Sequence, residues 1–237
     1  MNNFSGTITY GRGNIAFSFF HVERKTMEIA VHPDKRVIVK APFGIDIEEI
    51  KKRIARRARW ILKQQAFFRQ FDPRTPARRY VGGETHLYLG RQYRLKISSG
   101  KDGKVKLKKG SFEIRMQGDV SSEKAKMLLD KWYKAKASTI FSESLDRCWV
   151  YFDKFFPAKP KIQIKRLKKR WGSLSAAGIL TLNIDLIRAP RDCIDYVVIH
   201  ELNHLRHRNH TPEFYRFLEK IMPDWQKRKH RLEITLA

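Results

Sequence analysis

Alternation and helical spacing of apolar positions divide the chain into two unlike halves. Residues 4–40 read as short strands with turns at Gly11-Arg12-Gly13 and His32-Pro33-Asp34. Asp46 then caps a helix predicted to run to about Phe71, with Ile47, Ile50, Ile54, Ala58 and Ile61 on its buried side, before the prolines from Pro73 to Pro76 break it. Leu87-Tyr88-Leu89 and Tyr93-Arg94-Leu95 flank a hairpin turn at Gly90-Arg91, and strands at 104–108 and 111–116 flank Gly110. From about Ser122 to Phe155 the spacing turns helical, through Leu128, Leu129, Trp132, Ile140, Leu145 and Trp149. Ile179-Leu180-Thr181-Leu182-Asn183 alternates as an edge strand does, and two helices follow it. The reading is an α+β protein with no evident internal repeat: a β-rich region over 1–119 with one long helix, and a mainly helical domain over 120–237.

The second half carries the chemistry. His200-Glu201-Leu202-Asn203-His204 is H-E-x-x-H, and His207 and His210 follow. Residues four apart on a helix lie nearly above one another, so His200 and His204 can face one metal ion, with Glu201 about 100° further round. Ile194, Val198, Leu202 and Leu205 fall within one arc of roughly 80°, and the histidines cluster on another. A catalytic zinc takes three protein ligands and keeps one position open. The third is open between His207, His210, Glu213 and Glu219. His207 lies about 10 Å along the axis from His200, which is far for a shared ion. His210 needs the chain to turn back after His207, and Asn209 tolerates the left-handed conformation that such a turn uses. Thr211-Pro212-Glu213 then reads as the start of a new helix through Phe214, Phe217, Leu218 and Ile221 to Pro223. That corner favours His210, with Glu219 in reserve.

Several ordered motifs surround this segment: Lys169-Arg170-Trp171-Gly172-Ser173, Gly178-Ile179-Leu180-Thr181-Leu182-Asn183, Leu186-Ile187-Arg188-Ala189-Pro190, the run from Asp195 to Leu205, Asn209-His210-Thr211-Pro212-Glu213-Phe214 and Pro223-Asp224-Trp225. Over Arg166 to about Trp225 the chain resembles the YgjP-like metallopeptidases, relatives of the SprT/Spartan proteases within the zincins. Tyr80-Val81-Gly82-Gly83-Glu84 and Tyr88-Leu89-Gly90 extend the resemblance more loosely. It implies a zincin-like catalytic domain with one zinc ion on His200, His204 and His210, and Glu201 as general base. Leu174 and Asn203 depart from the family, which often has cysteine at both positions; neither is a proposed ligand.

In zincins an edge strand beside the metal can pair with an extended peptide. On that pattern Arg170, Trp171, Asn183 and Tyr215 are the substrate-binding candidates, with Trp171 also readable as a core aromatic. Arg170, Tyr196, His207 and Tyr215 are candidates for stabilising a developing oxyanion.

Composition limits the partners. No apolar run reaches the length of a membrane span, the polar start is unlike a signal peptide, and Cys148 and Cys193 lack metal-ligand spacing, which together suit a reducing cytoplasm. The formal net charge is +26, concentrated in Lys51-Lys52-Arg53 with Arg56, Arg57 and Arg59, in Arg78-Arg79, and from Lys165 to Arg170. An excess of this size fits an anionic partner, including non-specific nucleic acid. Three functions are therefore weighed: a zinc peptidase, a metal-dependent hydrolase of nucleoside triphosphates or other phosphate anhydrides, and a basic nucleic-acid-binding module with a structural metal.

Overall fold

The computed structural model describes residues 4–32, 34–70, 72, 78–100, 103–168 and 170–236. Its chain folds as two compact units, Met1–Thr75 and Pro76–Ala237.

In the first unit, β1 (Phe4–Tyr10) and β2 (Gly13–His21) form an antiparallel hairpin across Gly11, whose φ of 61° suits glycine. Then come β3 (Glu28–Val31) and β4 (Val37–Ala41), and the sheet order is β1-β2-β4-β3 with β2 and β4 parallel. One face, carrying Ile15, Phe17, Phe19, Val37 and Val39, is covered by α1 (Ile47–Arg69) through Ile50, Ile54, Ala58 and Ile61. Asp46 caps this helix as its sequence predicts, accepting from the Glu49 amide at 2.8 Å. Ile47 shares the apolar azimuth but stands at the first helical residue, at the end of the packed face, and is exposed. Pro33, Phe71 and the predicted break from Pro73 to Pro76 lie outside the described residues.

The second unit opens with the same topology. β5 (Thr85–Tyr88), β6 (Arg91–Ser99), β7 (Val105–Lys108) and β8 (Ser111–Met116) pair in the order β5-β6-β8-β7, again with the middle pair parallel, and a long helix follows. A strand-order repeat is thus present where no sequence repeat is evident. Both hairpins turn on a left-handed residue followed by a left-handed glycine, Leu89-Gly90 and Lys109-Gly110. The helix, α2 (Ser122–Trp149), starts at a Ser121 cap and stops six residues short of the predicted Phe155.

The division between units falls at Thr75, not near residue 120. The physical reason is packing. Leu95, Phe112, Ile114 and Met116 share one core with Leu129, Tyr133 and Phe141 of α2. The Tyr133 hydroxyl donates to the Leu87 carbonyl at 2.6 Å, and the amides of Leu89 and Gly90 donate to the carbonyls of Ile187 and Arg188. These strands therefore belong to the helical domain.

Behind α2 lies a three-stranded sheet of β9 (Lys161–Lys165), β10 (Gly172–Leu174) and β11 (Ile179–Asn183), in the order β10-β11-β9. The predicted edge strand, β11, is the centre of this sheet: it pairs in parallel with β9 and antiparallel with β10. The edge strand beside the histidine helix is β10. A short 3-10 helix (Ile184–Arg188) leads into α3 (Arg191–Asn203), followed by α4 (Pro212–Ile221) and α5 (Trp225–Leu236). No described helix is long and apolar enough to cross a membrane.

Candidate metal centre

Helix α3 is packed into the core through Ile194, Val198 and Leu202, all fully buried, as the apolar arc predicts. It ends earlier than the histidine spacing suggests. The amide of His204 turns back to the carbonyls of Glu201 and Leu202, and those of Leu205 and Arg206 bond three residues back, so the last turn tightens and stops. The chain turns back as predicted but without a left-handed residue, since Asn209 is absent from the positive-φ positions. The carboxamide of Asn203, fully buried, donates to the Phe214 carbonyl at 2.9 Å and fastens the end of α3 to the first turn of α4.

The reversal brings His210 back over α3. Its Nε2 lies 2.9 Å from Nε2 of His200, and ligand atoms of His200, His204 and His210 all fall within 4.8 Å of one another. The Nδ1–H of His204 donates to the His207 carbonyl at 3.1 Å, which fixes the tautomer and leaves Nε2 with its lone pair free. Two ring nitrogens that face each other at 2.9 Å need a hydrogen between them, or a cation. Bonds of about 2.0–2.1 Å in a tetrahedral zinc site place nitrogens about 3.3 Å apart, so a small adjustment seats the ion. Burial, with His210 and His204 nearby, pushes His200 down to about 3, so its ring is in the neutral form that ligates. The residues fit the metal.

The ring of Phe214 packs against all three imidazoles, with centroids 4.7–5.0 Å away, and forms the floor of the cluster. The sequence places Phe214 on the helix that follows Pro212, and nothing in its spacing marks it as a support for the imidazoles. Glu219, the reserve ligand, is exposed and outside the cluster.

Glu201 is 8% exposed, and its burial pushes the carboxyl up to about 7 against the opposing pull of Arg170. It lies against β10 at Gly172. A Cβ on Gly172 would sit 2.8 Å from Glu201 Cγ and 3.0 Å from its Oε1. Glycine is required here for close approach, a role that the Trp171-Gly172-Ser173 motif carries without announcing it. A cavity of about 800 Å3 opens over the cluster, walled by β10 on one side and by Leu205 and Arg208 on the other, with Arg170 at its rim.

The remaining candidates separate. Arg170 lines the cavity and is exposed. Trp171 is partly buried against the core, and its carbonyl accepts from the Asn183 amide at 2.8 Å. Asn183 is 3% exposed and fully engaged: its Nδ2 donates to the carbonyls of Leu167 and Arg170, and its Oδ1 accepts from the Asp185 amide. It braces the loop that carries Arg170, and it is not among the residues that line the cavity. Tyr215 stacks between His210 and Trp225, behind the ligand cluster. Tyr196 is buried with its ring edge on His200. Lys169 lies outside the described residues.

A family model described as YgjP-like, metallopeptidase domain, matches residues 25–235. Among solved structures, the chain is similar to the metallopeptidase zymogen of Pyrococcus abyssi abylysin, with 25% identity over 40% of this chain and 94% of that one, at a TM-score of 0.36. It is also similar to the zymogen of Methanocaldococcus jannaschii jannalysin, with 18% identity over 41% of this chain and 90% of that one, at a TM-score of 0.37. The comparison with curated proteins finds no match. The match to the family spans nearly the whole chain, and the chain belongs to the YgjP-like metallopeptidases, a family of metal-dependent hydrolases.

Proposed function

We propose that the protein is a zinc peptidase in which His200, His204 and His210 hold one ion and Glu201 is the general base. The observation that carries this reading is the Glu201 carboxylate, buried without a hydrogen-bond partner among the described residues, beside three convergent imidazoles at the foot of an open cavity. Zinc, when bound, lowers the pKa of water towards neutrality and polarises a carbonyl oxygen.

The chain's own groups supply the rest. Strand β10 bonds to β11 through Trp171 and Ser175 at its two ends, so by antiparallel alternation the main-chain groups of Gly172 and Leu174 face the outer edge. An extended peptide added to that edge passes in front of the histidines. Glu201 takes the proton of the attacking water as its oxygen bonds to the peptide carbon, then delivers it to the departing amine as the C–N bond breaks. Arg170 and Arg208, which line the cavity and make no ion pair within 4.0 Å among the described residues, supply positive charge where the oxyanion grows.

The test is Glu201→Gln assayed on an unfolded protein substrate. Hydrolysis should fall at least about 100-fold while bound metal stays stoichiometric. Retention of more than a tenth of the activity rejects Glu201 as the base. The two cavity arginines also support a second reading, hydrolysis of phosphate anhydrides, because guanidinium groups recognise phosphate. Phosphate release from nucleoside triphosphates, measured beside peptide cleavage, separates the two.

A further inference from the structure

A second basic feature lies in the first unit, remote in chemistry from the metal. Helix α1 carries Arg53, Arg56, Arg57 and Trp60 on one flank, within an arc of about 100° beside its apolar face. That flank forms one wall of a groove of about 450 Å3; the other is the segment from Arg24 to Ile29 leading into β3, the last strand of its sheet.

The groove is cationic and half apolar. Among the described residues, four guanidinium groups line it with one carboxylate, Glu28, which Arg24 engages at 2.7 Å. Arg53 pairs with Glu49, while Arg56 and Arg57 have no carboxylate at ion-pair distance among the described residues. Arg24 Nε is buried with no hydrogen-bond partner among the described residues. Among these cations Trp60 stands 38% exposed, and Met27 and Ile29 complete the lining. The whole unit has 15 basic and 7 acidic residues, so cations remain in excess after these two pairs.

A merely solvated helix face has no need of an indole amid its arginines. Acidic peptide would engage the guanidinium groups but leave Trp60 idle. Nucleotides use both: guanidinium forks take phosphate oxygens, and bases stack on an aromatic face. A concave groove between a helix and a strand admits a flexible strand, whereas a duplex is read by an element that protrudes into it. We propose that the groove lined by Arg24, Arg53, Arg56, Arg57 and Trp60 binds single-stranded nucleic acid without sequence preference.

The experiment measures anisotropy of a fluorescein-labelled oligothymidylate with the metal-loaded full chain at 50 and 200 mM salt. If four phosphates are neutralised, at about 0.7 ions released per contact, affinity falls about 50-fold between the two salts. The exposed double variant Arg56→Gln/Arg57→Gln should reduce that ratio to about 7-fold. Trp60→Ala should weaken binding by about tenfold, the loss expected of one stacked base. Arg59→Gln, which removes one charge from the opposite flank of the helix, should stay within about twofold of the parent, allowing for one distant charge. Matching circular dichroism and melting curves confirm that the variants fold. Binding by the double variant and by Trp60→Ala equal to that of Arg59→Gln overturns the proposal. So does polyglutamate that competes as well as unlabelled oligonucleotide, since it assigns the groove to acidic polypeptide.

Discussion

Replacing Gly172 by alanine tests the contact on which the catalytic reading turns. The added methyl would sit 2.8 Å from Glu201 Cγ and 3.1 Å from Cδ, where carbon atoms prefer 3.5–4.0 Å, so the carboxylate must retreat by roughly 0.7 Å or more. The backbone itself allows alanine, because Gly172 is not among the positive-φ glycines. Overlap in a packed site costs about 1–3 kcal/mol, and loss of glycine's freedom in the unfolded chain returns about 0.4–1 kcal/mol. The net loss of about 0–2.5 kcal/mol lowers the melting temperature by several degrees, and the protein stays folded. Activity is far more sensitive: a displacement near 1 Å in a catalytic group costs about 100-fold. Peptide hydrolysis by Gly172→Ala should therefore fall about 100-fold with metal content unchanged, measured by a quenched fluorogenic peptide beside elemental analysis. The double variant with Glu201→Gln should be no worse than Glu201→Gln alone, since both act through one carboxylate. Activity within threefold of the parent, or a double variant reduced by the product of the two single losses, would refute the argument.

Other consequences follow from the same geometry. His210→Ala should lose stoichiometric metal, whereas His207→Ala should keep it, because His207 supports His204 through its backbone carbonyl; elemental analysis after gel filtration distinguishes them. Asn183→Ala should lower stability by about 2–3 kcal/mol in urea unfolding, because it strips hydrogen bonds from two carbonyls and one amide; an unchanged midpoint with a raised KM would return Asn183 to the substrate. Burial pushes both Cys148 and Cys193 up to about 12, so neither should react with a disulfide reagent at pH 8 until guanidinium unfolds the chain and exposes both. His86 is held below its ordinary value of 6.5 by burial, with Glu84 opposing. As pH falls through 6.5 the unfolded chain gains a proton that the folded one refuses, so stability drops, and His86→Asn should flatten that slope in denaturation series.

Much of the second half is legible because its chemistry is local. H-E-x-x-H places two candidate ligands and a candidate base within about one helical turn, and Thr211-Pro212 marks a helix start after the corner that returns His210 to the first two. The less legible features depend on contacts between distant segments. Ile179–Asn183 alternates as an edge strand does, yet β9 and β10 occupy both its sides. Alternation reports which side chains are buried; pairing is made by backbone groups that every residue carries. Asn183 illustrates the same limit: its spacing does not reveal the three backbone partners that its carboxamide finds in the folded chain.

The sequence by itself determined the metal chemistry, the α+β class and the apolar face of each long helix, since these follow from spacing within a few turns. Tertiary structure alone decided that residues 76–119 join the helical domain, that β10 rather than β11 offers its edge, and that Gly172 makes room for Glu201 while Phe214 floors the ligands. Each of these depends on which segments meet across long stretches of chain. Meeting is settled by the packing of whole surfaces, which no local pattern encodes.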